Sequence, residues 1–138
     1  MKLFCRILIG LMILSSCSKN EEPSKDPIIG KWKYEKLLVG GVDILDECSR
    51  QGTKEFFENG KRIITLYEKD PDGNCVVKSR VERFWKKNEN RDSWYCYDSS
   101  NSMCDKFIFT NNNNTMIHPG NSGHENPEDF NTVYTRIK

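Results

Sequence analysis

The stretch Pro27-Ile28-Ile29-Gly30-Lys31-Trp32-Lys33-Tyr34-Glu35-Lys36-Leu37 decides the fold of this chain. Apolar side chains alternate in it with charged ones, which is the period-two pattern of a β-strand with one buried face. A glycine on that buried face lets another backbone, or a large indole, come close. The folded part of the chain therefore starts with a half-buried strand, whose inward positions are Ile28, Gly30, Trp32 and Tyr34.

Short apolar runs separated by turn signals continue to the end of the chain. Asn59-Gly60 favours a type I′ hairpin, and residues 70–74 (Asp-Pro-Asp-Gly-Asn) mark a second turn. Residues 42–48 fit either a strand piece or one helical turn. About eight short strands joined by tight turns favour an up-and-down barrel or a sandwich. The predicted strands are 28–39, 53–58, 62–69, 75–87, 92–98, 103–110, 115–118 and 130–138.

The composition narrows the class of function. A chain of 138 residues suits one domain, and a formal net charge of +1 provides no basic surface that would favour nucleic acid. The sequence contains no Gly-x-Ser-x-Gly, His-Glu-x-x-His or phosphate-binding glycine loop, and no nucleophile with an activating base. We therefore expect a non-enzyme without a cofactor.

The first 16 residues have the pattern of a signal peptide. Lys2 and Arg6 are followed by an apolar run, residues 7–14, that is too short to span a bilayer. Leu14-Ser15-Ser16-Cys17 resembles a bacterial lipobox, which implies cleavage before Cys17 and a palmitate-type lipid on its thiol. The alternative is an ordinary signal peptide with a chance cysteine.

Residues 17–27 are polar and predict a flexible tether, because they offer too little apolar surface to fold. The stretch 18–22 (Ser-Lys-Asn-Glu-Glu) is similar to the acidic export signals of surface lipoproteins in Gram-negative gut bacteria. This resemblance implies an outer-membrane lipoprotein that is exposed at the cell surface. The alternatives are that these charges are a solvated linker and that the protein faces the periplasm.

Four cysteines remain after the lipidated one: Cys48, Cys75, Cys96 and Cys104. In an exported domain of this size they predict two disulfides, with three possible connectivities. Cys96 and Cys104 flank one loop between two predicted strands, so a bridge across those strands is geometrically easy. A metal site is the weaker alternative, because no Cys-x-x-Cys pair is present.

The domain from 28 to 138 resembles the lipocalin-like domain of bacterial lipoproteins. The resemblance rests on the lipobox and on several short motifs in a fixed order: 29–32 (Ile-Gly-Lys-Trp), 56–60 (Phe-Phe-Glu-Asn-Gly), 73–75 (Gly-Asn-Cys), Trp85 and 107–109 (Phe-Ile-Phe). It implies an all-β fold, a single antiparallel up-and-down barrel of about eight strands. It also implies the bridge Cys48–Cys75, with Cys96–Cys104 as the second pair, and structural roles for Gly30, Trp32 and Arg136. We expect the basic side chain of Arg136 to lie over the indole of Trp32.

An eight-stranded barrel can enclose a small apolar ligand, so the first functional hypothesis is a monomeric binder of a hydrophobic molecule. The candidate lining residues are Tyr34, Phe57, Leu66, Val81, Tyr95, Phe107 and Tyr134. The alternative is that these side chains fill the barrel themselves. The protein would then act through its surface, either as an interaction module using residues 94–97 (Trp-Tyr-Cys-Tyr) or as an enzyme inhibitor using the Cys96–Cys104 loop.

One loop contains two imidazoles and several carboxylates. His118 and His124 are expected to share it with Glu125, Glu128 and Asp129. Because glycines make such a loop flexible, we interpret these residues as solvated side chains and predict no metal site.

Overall fold

A computed structural model describes residues 25–120 and 130–138. Within these ranges the protein is all-β, as predicted, with one short 3-10 helix at Ser49–Gln51. The strands are β1 (Gly30–Val39), β2 (Val42–Asp43), β3 (Thr53–Phe56), β4 (Lys61–Lys69), β5 (Cys75–Phe84), β6 (Lys86–Lys87), β7 (Trp94–Cys96), β8 (Cys104–Lys106), β9 (Ile108–Thr110), β10 (Thr115–Pro119) and β11 (Phe130–Ile137).

The strands form two antiparallel sheets. The larger has the order β5-β4-β3-β1-β11-β10-β9, with β2 paired to β1, and the smaller has the order β6-β7-β8. A single residue separates the sheets at each of two places along the chain: Trp85 lies between β5 and β6, and Phe107 between β8 and β9. The predicted strands 75–87 and 103–110 are therefore interrupted.

The two interruptions have the same physical cause. The amide of Trp85 donates to the carbonyl of Gly60 over 2.7 Å, and the amide of Phe107 donates to that of Ser93 over 2.9 Å. These hydrogen bonds lie outside the strand ladders. Both aromatic side chains are buried in the core, so each interruption lies where a large ring enters the core.

The turn at Asn59-Gly60 is not the predicted type I′ turn. Only Gly60 has a positive φ, 79°, whereas type I′ needs positive φ at both central residues. The amide of Gly60 donates to the carbonyl of Phe57, and the amide of Phe57 donates to Lys61. This is a type I turn followed by a left-handed glycine, and it displaces the strand phase by one residue relative to a two-residue loop.

The structure corrects one predicted lining residue on β3. Phe56 is 1% exposed and belongs to the core, whereas Phe57 is half-buried and lines a surface depression with Lys25 and Glu58. The inward position of β3 is thus Phe56, and the expectation for Phe57 is wrong. On β5, Val77 is 54% exposed. It lies where the pairing of β4 with β5 shifts register, between Leu66 and Tyr67.

The core is rich in aromatic side chains, and their rings contact one another in sequence. The ring centroids of Phe56 and Trp85 are 5.7 Å apart, those of Trp85 and Tyr95 5.8 Å, and those of Tyr95 and Phe107 5.9 Å. Spacings and tilts of this kind suit the quadrupoles of aromatic rings. The core is therefore continuous between the two sheets. Its buried members are Ile28, Trp32, Phe56, Trp85, Tyr95, Phe107, Met116 and Tyr134.

Arg136 covers one end of this core. Its guanidinium carbon lies 4.2 Å from the ring centroid of Trp32, the contact that the sequence predicts. Its nitrogens donate to the carbonyls of Asn113, Ile29 and Pro27 over 2.8, 2.7 and 2.6 Å. Gly30 is required here, since a Cβ at its φ of 130° would lie 2.6 Å from an Arg136 nitrogen.

Both disulfides are present, Cys48–Cys75 and Cys96–Cys104. The first joins the segment before the 3-10 helix to the start of β5. The second crosses from β7 to β8, where the two cysteines are directly opposite in the ladder. Each bridge restricts the unfolded chain and is worth about 2–4 kcal/mol of stability.

Candidate functional site

The strand register places several polar side chains on the inward face. Lys54 on β3 is opposite Trp32 on β1 and Ile64 on β4, and Arg62 on β4 is opposite Phe56. Directly opposite residues in an antiparallel ladder share a face of the sheet. Lys54 and Arg62 therefore face the same side as the aromatic core, and each is only 8% exposed.

Lys54 is surrounded by aromatic rings. Its ammonium nitrogen lies 4.8 Å from the ring centroid of Tyr134, and 5.9 Å from those of Tyr34 and Phe107. Burial, assisted by the positive charge of Arg62, lowers the pKa of Lys54 to about 8. At neutral pH the side chain is still mostly a cation, held by ring faces instead of a carboxylate.

Arg62 stacks on Tyr97. Its guanidinium carbon lies 3.7 Å from the Tyr97 ring centroid. Burial, together with the charge of Asp105, holds the pKa of the Tyr97 hydroxyl well above its ordinary value. This hydroxyl consequently remains a hydrogen-bond donor throughout the physiological range.

Asp105 and His118 complete the polar set. His118 Nε2 lies 3.6 Å from Asp105 Oδ1, and the His118 ring centroid lies 5.0 Å from that of Phe107. Burial raises the pKa of Asp105, but the neighbouring His118, Tyr97 and Lys54 outweigh burial and leave it below the ordinary value. Asp105 is therefore an ionised carboxylate. We call Lys54, Arg62, Tyr97, Asp105 and His118 the inner polar cluster.

Three buried atoms of this cluster make no hydrogen bond of normal length within 25–120 and 130–138. Two of them, the Tyr97 hydroxyl and His118 Nε2, face the carboxylate of Asp105, and His118 Nε2 lies 3.6 Å from Asp105 Oδ1. The third, Arg62 Nε, has no acceptor beside it among the described residues. Buried polar atoms without partners are rare in folded proteins, and each costs about 1–3 kcal/mol. All three belong to one cluster on the inward face. Such a concentration is typical of a site that another molecule completes.

Five of the seven predicted lining residues lie around Lys54, in the core or on β5. Tyr34, Tyr134 and Phe107 surround Lys54, and the ring centroids of the two tyrosines are 4.7 Å apart. Tyr95 is buried beside Phe107 and donates to Asp26 Oδ1 over 2.8 Å, so it belongs to the core. Val81 is half-buried opposite Ile64.

Leu66 lies at an opening next to the cluster. With Tyr34, Leu45, Ser49, Tyr67 and Lys78 it lines a pocket of about 290 Å³. Tyr34 lies between this pocket and the cluster, because its ring lines the pocket and also contacts Lys54. The pocket is large enough for a short apolar chain or a single ring.

The structure also corrects the expectations for His118 and for Tyr95. His118 lies in β10, not in a loop, while His124, Glu125, Glu128 and Asp129 lie outside the described residues. No group of three His, Cys, Asp or Glu side chains that would hold a metal ion occurs among residues 25–120 and 130–138. In the surface stretch 94–97, Tyr95 is 1% exposed and is therefore unavailable to a protein partner.

Comparison with known proteins leaves the site to be interpreted from its own chemistry. No protein-family model matches the chain, and no curated protein is significantly similar to it. In the part of the chain that the structure describes, no helix has the length and apolarity needed to cross a bilayer.

The sequence analysis missed Lys54, Arg62, Tyr97 and Asp105. A signal existed, since Lys54 and Phe56 have the same phase in the strand pattern and an inward Phe56 makes Lys54 inward too. Choosing Phe57 as the inward residue placed Lys54 outside. Arg62 and Asp105 carried the same signal, since Arg62 has the phase of Leu66 and Asp105 that of Phe107. They were not identified because charged residues are rarely buried.

Proposed function

We propose that the protein is a membrane-anchored, lipocalin-like lipoprotein that binds a small, largely hydrophobic molecule inside an eight-stranded barrel. The anchor in this proposal is a lipid on Cys17, in the outer membrane and facing the cell surface. The binding site is the inner polar cluster together with the pocket at Leu66. The observation that carries the binding proposal is the pair of buried cations, Lys54 and Arg62, of which Arg62 Nε has no hydrogen-bond partner among the described residues.

The strand neighbours support a closed barrel. If β5 and β6 count as one strand bent at Trp85, and β8 and β9 as one strand bent at Phe107, each remaining strand pairs with the next along the chain. The final strand, β11, pairs with the first, β1. This gives a ring of eight strands, with β2 as an addition at the edge, and eight strands suit one small ligand.

Aromatic rings around a buried cation support an amphipathic ligand. An apolar chain or ring in the pocket would contact Tyr34 and Leu66, and the buried cation of Lys54 lies beside the same Tyr34 ring. Ligand sites generally combine apolar walls with a few convergent polar groups.

Native mass spectrometry of the exported full chain tests the binding proposal. We expect a discrete extra mass that is lost when the same sample is denatured. A Leu66→Trp variant should lose the extra mass because the indole fills the pocket, whereas Val77→Trp, at a position 54% exposed, should retain it. Circular dichroism melting shows whether both variants fold. Identical native and denatured masses for the wild type would contradict the proposal.

The anchor has its own test. In cells, Cys17→Ala should move the protein out of the membrane fraction and abolish its labelling by radioactive palmitate, while Cys5→Ala should change neither. Protease treatment of intact cells then distinguishes the surface from the periplasmic face. Unchanged membrane association of Cys17→Ala would refute lipid anchoring.

A second candidate function is a surface interaction module with a side-chain-filled interior. It is favoured by Phe84, which is 73% exposed, beside a pocket of about 430 Å³ that includes Trp85 and Tyr97. An enzyme inhibitor acting through the Cys96–Cys104 loop belongs to the same class. Absence of a bound mass in the native spectra favours this reading.

A further inference from the structure

We propose that the molecule bound inside the protein carries a negatively charged group, a carboxylate or a phosphate, and that Lys54 and Arg62 bind it. This inference rests on the proposed function and names the class of ligand. It follows from the charges of the inner polar cluster, from the positions of Lys54 and Arg62 on neighbouring strands and from the apolar walls around them.

The charges of the cluster do not balance. Lys54 and Arg62 are both cations, and no carboxylate oxygen of residues 25–120 or 130–138 lies within 4.0 Å of their nitrogens. Asp105 is the cluster's single carboxylate, and it lies next to His118. Among the described residues one carboxylate therefore faces two cations, so the cluster has an excess of positive charge.

Such an excess is costly inside a protein. Buried charges are normally paired, because an ion loses its hydration when it is removed from water. The aromatic faces around Lys54 and the stack of Arg62 on Tyr97 compensate for part of this loss. An anion would compensate for more of it.

The free donors suit an anion with two oxygens. Lys54 and Arg62 occupy diagonal positions on β3 and β4, since Lys54 is opposite Ile64 and Phe56 is opposite Arg62. Diagonal neighbours lie about 7–8 Å apart at the backbone, within reach of long side chains. Arg62 Nε adds a donor that has no hydrogen-bond partner among the described residues. A guanidinium fork binds carboxylate or phosphate oxygens in pairs.

The residues around the two cations indicate the chemistry of the rest of the ligand. Tyr34, Phe107 and Tyr134 form apolar walls around Lys54, and the pocket at Leu66 continues outward from Tyr34. A neutral ligand leaves the excess positive charge uncompensated, and a cationic one adds to the repulsion. A single anionic group with a short apolar tail satisfies both parts of the site.

The test uses the full-length protein in phosphatidylcholine nanodiscs and isothermal titration calorimetry at pH 7. The probes are octanoate, octyl phosphate and octan-1-ol, which share one tail and differ in the head group. We expect at least one of the two anions to bind 10-fold or more tightly than octan-1-ol. Comparing octanoate with octyl phosphate then shows which anion the site prefers.

Variants locate the preference. Arg62→Met and Lys54→Met should each reduce the anion-to-alcohol ratio to about 3-fold or less, because the tail contacts remain while one cation is lost. Arg80→Met is the matched control, since Arg80 is exposed on β5, and it should retain the wild-type ratio. A ratio that survives in both cluster variants would overturn the assignment to Lys54 and Arg62.

A measurement on the wild type keeps the test independent of any variant that fails to fold. The titratable and charged groups around Lys54 are Arg62, Asp105, His118, Tyr34, Tyr97 and Tyr134. As pH rises from 7 to 9.5, Lys54 loses its proton, so the anion-to-alcohol ratio should fall several-fold. A constant ratio would contradict the role of Lys54.

Equal binding of octanoate, octyl phosphate and octan-1-ol overturns the anion inference and leaves the proposed function standing. If none of the three binds, the anion inference fails, and if native spectra also show no bound mass, the proposed function fails with it.

Discussion

The interior has two regions that treat their buried polar groups in opposite ways. Around Trp32, Trp85, Tyr95 and Arg136, here called the tryptophan end, the donors are satisfied. Trp32 Nε1 donates to the carbonyl of Ile28 over 2.8 Å, Trp85 Nε1 donates to that of Lys61 over 3.0 Å, and the Tyr95 hydroxyl donates to Asp26. In the inner polar cluster, Arg62 Nε has no such partner among the described residues, and His118 Nε2 lies 3.6 Å from Asp105 Oδ1, beyond normal hydrogen-bond length.

The difference separates a region that stabilises the fold from the region where we propose that a ligand binds. A buried donor that has its partner contributes modestly to stability, whereas one without a partner costs the full desolvation of its group. The tryptophan end is therefore expected to stabilise the fold. The inner polar cluster is expected to reduce stability until a ligand is bound. Mutations in the two regions should then have opposite effects on the empty protein.

The largest effect is expected for Trp32→Ala. It removes a fully buried indole, the surface under Arg136 and the bond to Ile28, so the free energy of unfolding should fall by about 3–5 kcal/mol. Urea denaturation measures it. Trp94→Ala, at a half-buried indole beside Arg91, is the control and should cost about 1 kcal/mol. If Arg62→Met destabilises the protein as strongly as Trp32→Ala, the distinction between the two regions is wrong.

The second prediction concerns the pH dependence of stability. The pKa of Lys54 falls from 10.5 to about 8 on folding, so between these values the folded state binds fewer protons than the unfolded state. Stability should therefore rise with pH above 8, by about 2 kcal/mol between pH 7 and 9.5. Above pH 10 it should fall again, because burial raises the pKa values of Tyr95, Tyr97 and Tyr134 and they ionise first in the unfolded chain.

Urea unfolding of the wild type and of Lys54→Met at a series of pH values provides the measurement. The variant should be more stable than the wild type at pH 7, and its stability should be nearly constant between pH 7 and 9.5. A wild-type curve that is equally constant over this interval would show that Lys54 is not destabilised by burial.

The smallest effect is expected for Arg136→Lys. A lysine keeps the positive charge but loses the planar stack on Trp32 and the fork that reaches three carbonyls. Because Arg136 is partly exposed, water compensates for some of this loss, and the cost should be about 1–2 kcal/mol. Thermal melting measures it, with Arg80→Lys as the control. A change equal to that of the control would mean that packing of Trp32 alone closes the tryptophan end.

Much of the fold was predictable because its signals are local. Alternation identified β1, and the glycine-containing turns separated most of the following strands close to their observed limits. The contact between Trp32 and Arg136 was also expected, from the resemblance to lipocalin-like domains. The interruptions at Trp85 and Phe107 were not, since they depend on carbonyls of Gly60 and Ser93 that come from elsewhere in the chain.

The candidate site was predicted only in part. Tyr34, Phe107 and Tyr134 were correctly placed on the inward face, because an apolar residue in a strand pattern points to a buried face. Lys54 and Arg62 were not, because a charged residue in the same pattern is normally assigned to the solvent side.

The sequence by itself determined the all-β character of the protein, most strand positions and the cysteines available for bridging. These properties depend on side-chain alternation and turn chemistry within a few residues. Only the tertiary structure decided that Phe56 and not Phe57 faces inward, since the pairing of β3 with β1 places Phe56 opposite Gly30 on the buried face. It also decided that Lys54, Arg62, Tyr97, Asp105 and His118 meet, because strand register brings together residues up to 64 positions apart, and burial then determines their charges.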